Sequence, residues 1–162
     1  MATRNHLGKS LFYSPTQPAT NDAAGFEALT DFVELEYGKS YPQFGITHNN
    51  IDVEDLKSGR TKGIKGSASG IDSQGSCRIE DSTLTTNQLA FRALCKGSGG
   101  NVSLKIGTGS GTDNALVAGD VVTYAAGYVH SYQEEQPTSS TSEGFMYNFK
   151  QNDDDIVGTE PV

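Results

Sequence analysis

Tryptophan is absent from these 162 residues, and cysteine and histidine are scarce, with two and three copies. Each shortage removes a class of chemistry. Cys77 and Cys95 show no Cys-x-x-Cys spacing, so both read as small, reduced core residues. His6, His48 and His130 lie far apart in sequence and fit no ligand pattern such as His-Glu-x-x-His, so no metal site is expected. Basic residues are also few: 12 Lys and Arg stand against 20 Asp and Glu, a formal net charge of −8. Proteins that grip nucleic acid need clustered cations to neutralise phosphates, and this balance argues against that role.

Long apolar runs are missing too. The opening residues, MATRNHLGKSLFYSP, hold no export-type apolar stretch, and nothing approaches the roughly 18 apolar residues that span a bilayer. The expectation is a cytosol-like compartment and no membrane insertion. Hydrophobic residues make up only 35% of the chain, so the core is modest. One domain over 1–162 is expected, as a thin β-sandwich or an obligate oligomer.

What the chain does have is glycine, 19 residues of it, and stretches that alternate. After an N-terminal arm at 1–9, SLFYS (10–14) is a short strand, broken by Pro15, Pro18 and TNDAAG. LTDFVELEYG (29–38) alternates and reads as a strand. Residues 39–61 show little periodicity yet carry Tyr41, Phe44, Ile46, Ile51, Val53 and Leu56, too much apolar surface for a solvated linker; they read as a contact loop. GIKGSASG (63–70) alternates Ile64, Gly66, Ala68 and Gly70 with Lys65, Ser67 and Ser69, whose polar face is the candidate wetted, lumen-facing surface. SCRIED, NVSLKIG, LVAGDVVTYAAGYVHSYQEEQ and TSSTSEGFMYNFKQN supply the remaining strands, and QNDDDIVGTEPV at 151–162 makes an acidic tail. The helix predicted over 85–96 has a capping box from Thr85 and Gln88, an apolar stripe of Leu89, Ala90, Ala93 and Leu94 with Phe91 beside it, and Gly97 as its stop. The fold class is thus mainly β, an antiparallel sandwich or barrel of about seven to eight strands with one flanking helix, a long loop and extended terminal arms.

Tests for catalytic motifs fail. Gly-Lys-Ser occurs at 8–10 and 38–40, but a phosphate-binding loop needs glycine five residues upstream, where Thr3 and Val33 stand. GTGSG (107–111) leads into another β pattern and reads as a hairpin turn. No Gly-x-Ser-x-Gly elbow is present, since GSASG (66–70) places alanine at the nucleophile position. Neither catalysis nor a cofactor is expected.

ITHNNIDVEDLKSG followed by GIKGSASGIDSQGSCRI resembles the signature region of the major tail tube proteins of long, non-contractile-tailed bacteriophages. The matching positions are Ile51-Asp52-Val53, Ser58-Gly59, Gly63–Gly70, Asp72–Gly75 and the helix; Glu54 departs from the usual threonine. The order of elements agrees from about residue 10 to 150. The resemblance implies two packed antiparallel sheets, hexameric rings whose inner sheets join into one channel-lining barrel, and stacking of rings into a tail tube, similar to type VI secretion tubes. It implies a structural protein of the virion, assembled in the host cytoplasm, with itself, a tape-measure protein, a tail terminator and distal tail or tip proteins as partners. Under it, Tyr41, Phe44, Ile46, Ile51, Asp52, Val53 and Leu56 make inter-subunit or inter-ring contacts, and DNA passes the lumen without specific binding. Six copies at −8 carry −48 per ring, and an acidic wall would repel phosphates within a Debye length of about 8 Å. The alternatives are a secretion-type tube and a glycan-binding β-sandwich using Tyr13, Tyr37, Tyr41 and Tyr132 as stacking residues, the latter disfavoured by the missing tryptophan and export signal.

Overall fold

The computed structural model describes residues 6–162. In chain order its strands are β1 (Lys9–Ser14), β2 (Val33–Glu34), β3 (Gly38–Ser40), β4 (Ile46–Asp55), β5 (Arg60–Gly70), β6 (Asp72–Arg78), β7 (Asn101–Thr108), β8 (Val121–Glu134), β9 (Gly144–Gln151) and β10 (Ile156–Thr159). Two helices accompany them: α1 (Ala23–Glu27) precedes β2, and α2 (Thr86–Lys96) follows β6. Residues 1–5 of the predicted N-terminal arm lie outside the described residues, and Lys9 already belongs to a strand.

All pairings are antiparallel, as short connections favour. One sheet runs β2-β1-β7-β8-β9-β6-β3, and β4 and β5 form a separate two-stranded ribbon. β8 joins the parts: its first half lies between β7 and β10, and its second half pairs with β9. The sheet wraps as a β-sandwich around Leu11, Tyr13, Leu104, Ala125, Phe145, Tyr147 and Phe149. Phe91 of α2 fills the gap, meeting Tyr13 edge-on at 5.1 Å and Tyr147 at 4.7 Å. Such geometry adds about 0.5–1.5 kcal/mol per pair beyond the area buried.

α2 starts where its capping box predicts, with Gln88 N–H donating to Thr85 Oγ1 at 3.2 Å and Thr85 N–H donating to Gln88 Oε1 at 3.1 Å. Its buried face, however, is Gln88, Phe91 and Cys95, while Leu89, Ala90 and Ala93 of the predicted stripe face solvent. Gln88 decides this rotation. Its amide donates to the carbonyls of Glu36 and Arg78, both at 3.1 Å, and tethers the helix to the chain just before β3 and to the end of β6. A polar residue is buried because every bond it needs is supplied.

Four other expectations change. The 29–38 strand shrinks to Val33–Glu34, because Asp31 turns aside to accept hydrogen bonds from Ser14 and Thr16, both at 2.6 Å, and Tyr37 sits at φ 58°. TNDAAG starts α1, where the Asp22 carboxylate caps Gly25 N–H at 2.7 Å and Phe26 stacks on Tyr124 at 5.0 Å, on the opposite face of β8 from the main core. The acidic tail is no free tail: β10 pairs with β8, and Glu160 clasps the buried Lys105. The 39–61 loop is largely strand. Polar side chains hide its alternation, since β4 has only Ile46 on one face and Ile51 and Val53 on the other; the bulge lies in its partner β5, where Gly66 and Ser67 oppose the single Asn49.

Cys77 and Cys95 are buried free thiols, as expected, and burial pushes both up to about 12. They pack and do not react.

Candidate assembly surface

The bulge sets the chemistry of the β4–β5 hairpin. The extra residue lies in β5, so parity shifts there: Ile51 and Val53 share one face with Ile64, Lys62 and Arg60 and, beyond the bulge, with Thr47, Asn49, Ser67 and Ser69, Asn49 Nδ2 donating to Ser67 Oγ at 3.2 Å. The other face carries Ile46, His48, Asn50, Asp52 and Glu54 with Thr61, Lys65 and Ala68. Over its outer half the hairpin is therefore two-sided, with Ile51, Val53 and Ile64 flanked by Lys62 and Arg60 on one face and Asn50, Asp52, Glu54, Thr61 and Lys65 on the other.

Neither face is covered by its own subunit. Ile51, Val53 and Ile64 are 52%, 43% and 53% exposed, and Leu56 at the tip is 96% exposed. Large apolar side chains displayed together on a projecting ribbon mark a surface made for contact. Three of the predicted contact residues, Ile51, Val53 and Leu56, lie on this face or at its tip, and Ile46 lies on the opposite face at the base. Asp52 and Lys65 point to the opposite side, whereas Ser67 and Ser69 lie beyond the bulge on the face of Ile51. Tyr41 and Phe44 do not project at all. Both are half-buried against the main core, with Tyr41 donating to the Lys9 carbonyl at 3.0 Å and Phe44 meeting Phe149 edge-on at 6.0 Å.

The tip and the base hold the hairpin in shape. At the tip, Asp55 accepts from Lys57 N–H at 3.0 Å and from the Ser58 hydroxyl at 2.8 Å, and these bonds hold its carboxyl below the usual range. Gly59 completes the turn at φ 63°. At the base, the buried Gln151 accepts from Gly45 N–H through Oε1 at 2.9 Å and donates through Nε2 to the Asp153 carbonyl at 2.7 Å. Ile71 N–H donates to the Gly45 carbonyl at 3.0 Å, and Gln151 N–H to the Ile71 carbonyl at 3.2 Å. Gln151 was not legible as a site residue, since nothing in QNDDD marks a clamp.

Charge separates the hairpin from the body. Residues 46–70 contain four basic and three acidic side chains, a net of +1, so the rest of the chain carries −9 of the total −8. The most concentrated acidity is Asp153, Asp154 and Asp155, all exposed, between β9 and β10.

Over its full length the chain shares its fold with components of injection and gene-transfer particles. A chain from the sheath/tube terminator of the PVC extracellular contractile injection system, in its extended state, superposes with a TM-score of 0.60 at 7% identity, over 97% of both chains. A chain from the six-fold symmetrised baseplate of the anti-feeding prophage gives 0.59 at 6% identity over the whole of both. A chain from the tail of an empty gene transfer agent particle, refined with C6 symmetry, gives 0.56 at 9% identity over 94% of this chain and 97% of that one. These likenesses are of fold, and they extend beyond the non-contractile phage type that residues 51–75 resemble. No protein-family profile and no curated protein sequence matches the chain.

The glycan-platform alternative finds no support. Tyr13 is 2% exposed, Tyr41 is half-buried, Tyr132 stacks on Phe145 at 5.1 Å, and the Tyr37 ring is covered by the Arg78 guanidinium at 4.9 Å. Among the described residues, no three His, Cys, Asp or Glu side chains gather as a metal site.

Proposed function

We propose that this chain is a structural subunit that assembles with copies of itself, as hexameric rings stacked into a tail-type tube. The observation that carries this reading is the end-to-end fold correspondence with chains of six-fold particles. It joins a hairpin whose apolar face has no cover in its own subunit. A projecting amphipathic ribbon is costly for a monomer and stabilising for an assembly, because association removes its apolar surface from water.

In this reading the polar hairpin face bearing Lys65 is the candidate channel side, with Ser67 and Ser69 carried to the opposite face by the β5 bulge, and the acidic body keeps passing DNA from adhering. A tape-measure protein, a terminator and tip proteins are the further partners, the particle is a virion, and no reaction is catalysed. The Ile51–Gly75 resemblance favours a non-contractile phage tail; a sheath protein encoded beside this chain would reverse that choice. The test is negative-stain electron microscopy of the full chain at rising concentration. Six-fold rings or tubes are expected, and monomers at every concentration would overturn the proposal.

A further inference from the structure

Among the described residues, β10 has a strand on one side only. β6 runs beside β9 as far as the pair Asp72↔Lys150, and β5, immediately before it, leaves the sheet at Gly70 and pairs with β4. The position beside β10 that an undeviated β5 would occupy thus holds no strand; α1 packs against β10, and only the Asn21 and Glu27 side chains reach this side, at the Asp154 carbonyl and Thr159 N–H. Glu160 N–H donates to the Asp120 carbonyl at 2.8 Å and Gly119 N–H to the Glu160 carbonyl at 2.9 Å, which sets the ladder's phase. Glu160 and alternate residues before it face β8, so Val157 and Thr159 turn their backbone groups to the open edge. Thr159 has only long contacts there, its N–H to Glu27 Oε1 and its carbonyl from the Tyr124 hydroxyl, both at 3.4 Å.

Side chains mark the same place. Val157 and Val121 are each 65% exposed, and the register Val157↔Thr123 and Thr159↔Val121 puts both on one face. Asp153–Asp155 lie at the near end of this strip.

We propose that this β10 edge, with Val157 and Val121, receives the β4–β5 hairpin of a second copy of the chain. This rests on the self-assembly proposed above and names the acceptor. Two observations choose the occupant. The hairpin brings Ile51, Val53 and Ile64 with Arg60 and Lys62 on one face, matching two exposed valines beside three aspartates. The body also lacks, beside β10, the strand that its own β5 carries away. Strand addition at an exposed edge, with alternate side chains giving specificity, is an established mode of protein recognition.

Mixing Val53→Cys protein with Val157→Cys protein under mild oxidation tests the contact between copies, since Cys77 and Cys95 are buried. A reducible cross-linked dimer is expected in the mixture and in neither protein alone. Lys62→Glu should weaken assembly, and Asp154→Lys in the same chain should restore it. Rings or tubes that form without the cross-link overturn the acceptor while leaving the proposed function standing. Wild-type protein that never associates overturns both.

Discussion

A β-carbon on Gly70 would collide with the backbone carbonyl of Gln151, so the hairpin enters the body where only glycine fits. That contact fixes the ribbon's exit angle, because the obstacle is main chain and not a side chain that can swing away. Gly70→Ala should destabilise the fold by about 1–3 kcal/mol, the usual range for forcing an extra methyl into a packed site. Urea unfolding measures it, and hydrogen exchange should show faster opening around Gly45 and Ile71. Gly99→Ala, with nothing within 4 Å of the added carbon, should leave both unchanged.

The C-terminal strand should contribute to stability through one ion pair. Lys105 is 5% exposed, bonded to both Glu160 oxygens at 3.0 and 2.8 Å, and set over the rings of Phe12 and Phe32 at 4.7 and 4.9 Å. Glu160→Gln leaves the ammonium buried without its counter-charge and should cost about 3 kcal/mol, the low end for breaking a buried pair. Replacing both partners, Lys105→Met with Glu160→Leu, should recover most of the loss in the same denaturation experiment.

The layout of strands was legible in the sequence wherever one face is buried, as in β7 and β8, where alternation follows the core. It failed where another force sets the period. β4 has few apolar residues and splits them, Ile46 on one face and Ile51 and Val53 on the other, so a ten-residue strand reads as a loop. Gln88 rotates α2 away from its most apolar stripe. β10 is too short to show against the three aspartates before it, and the pairing that holds it is long-range. The apolar residues of the assembly surface were visible as excess hydrophobicity, but their separation from Asp52 and from Tyr41 and Phe44 needed the register.

Acid should loosen the junction between β1 and β2. Hydrogen bonds from the Ser14 and Thr16 hydroxyls hold the Asp31 carboxyl below its ordinary value. The unfolded chain therefore binds this proton more readily, so the stabilisation is complete above the unfolded pKa, about 3.9, and is lost as pH falls through the lower folded value. Asp31→Asn should be less stable than wild type at pH 7, and the gap should narrow towards pH 3. Urea midpoints of the two proteins across that range check the sign; a gap that widens in acid would refute it.

Replacing residues 47–69 with a two-residue turn separates folding from assembly. The main core includes none of these residues, and Tyr41, Phe44, Gly45 and Gln151, which anchor the base, remain. Circular dichroism should still report a β protein that unfolds cooperatively. Ile51, Val53, Ile64 and Leu56 leave with the hairpin, and with them the apolar surface that association would bury. Sedimentation should therefore show monomers at concentrations where the full chain forms larger species. If the shortened protein instead builds rings and tubes as readily as the full chain, contacts elsewhere drive assembly and the hairpin has another use.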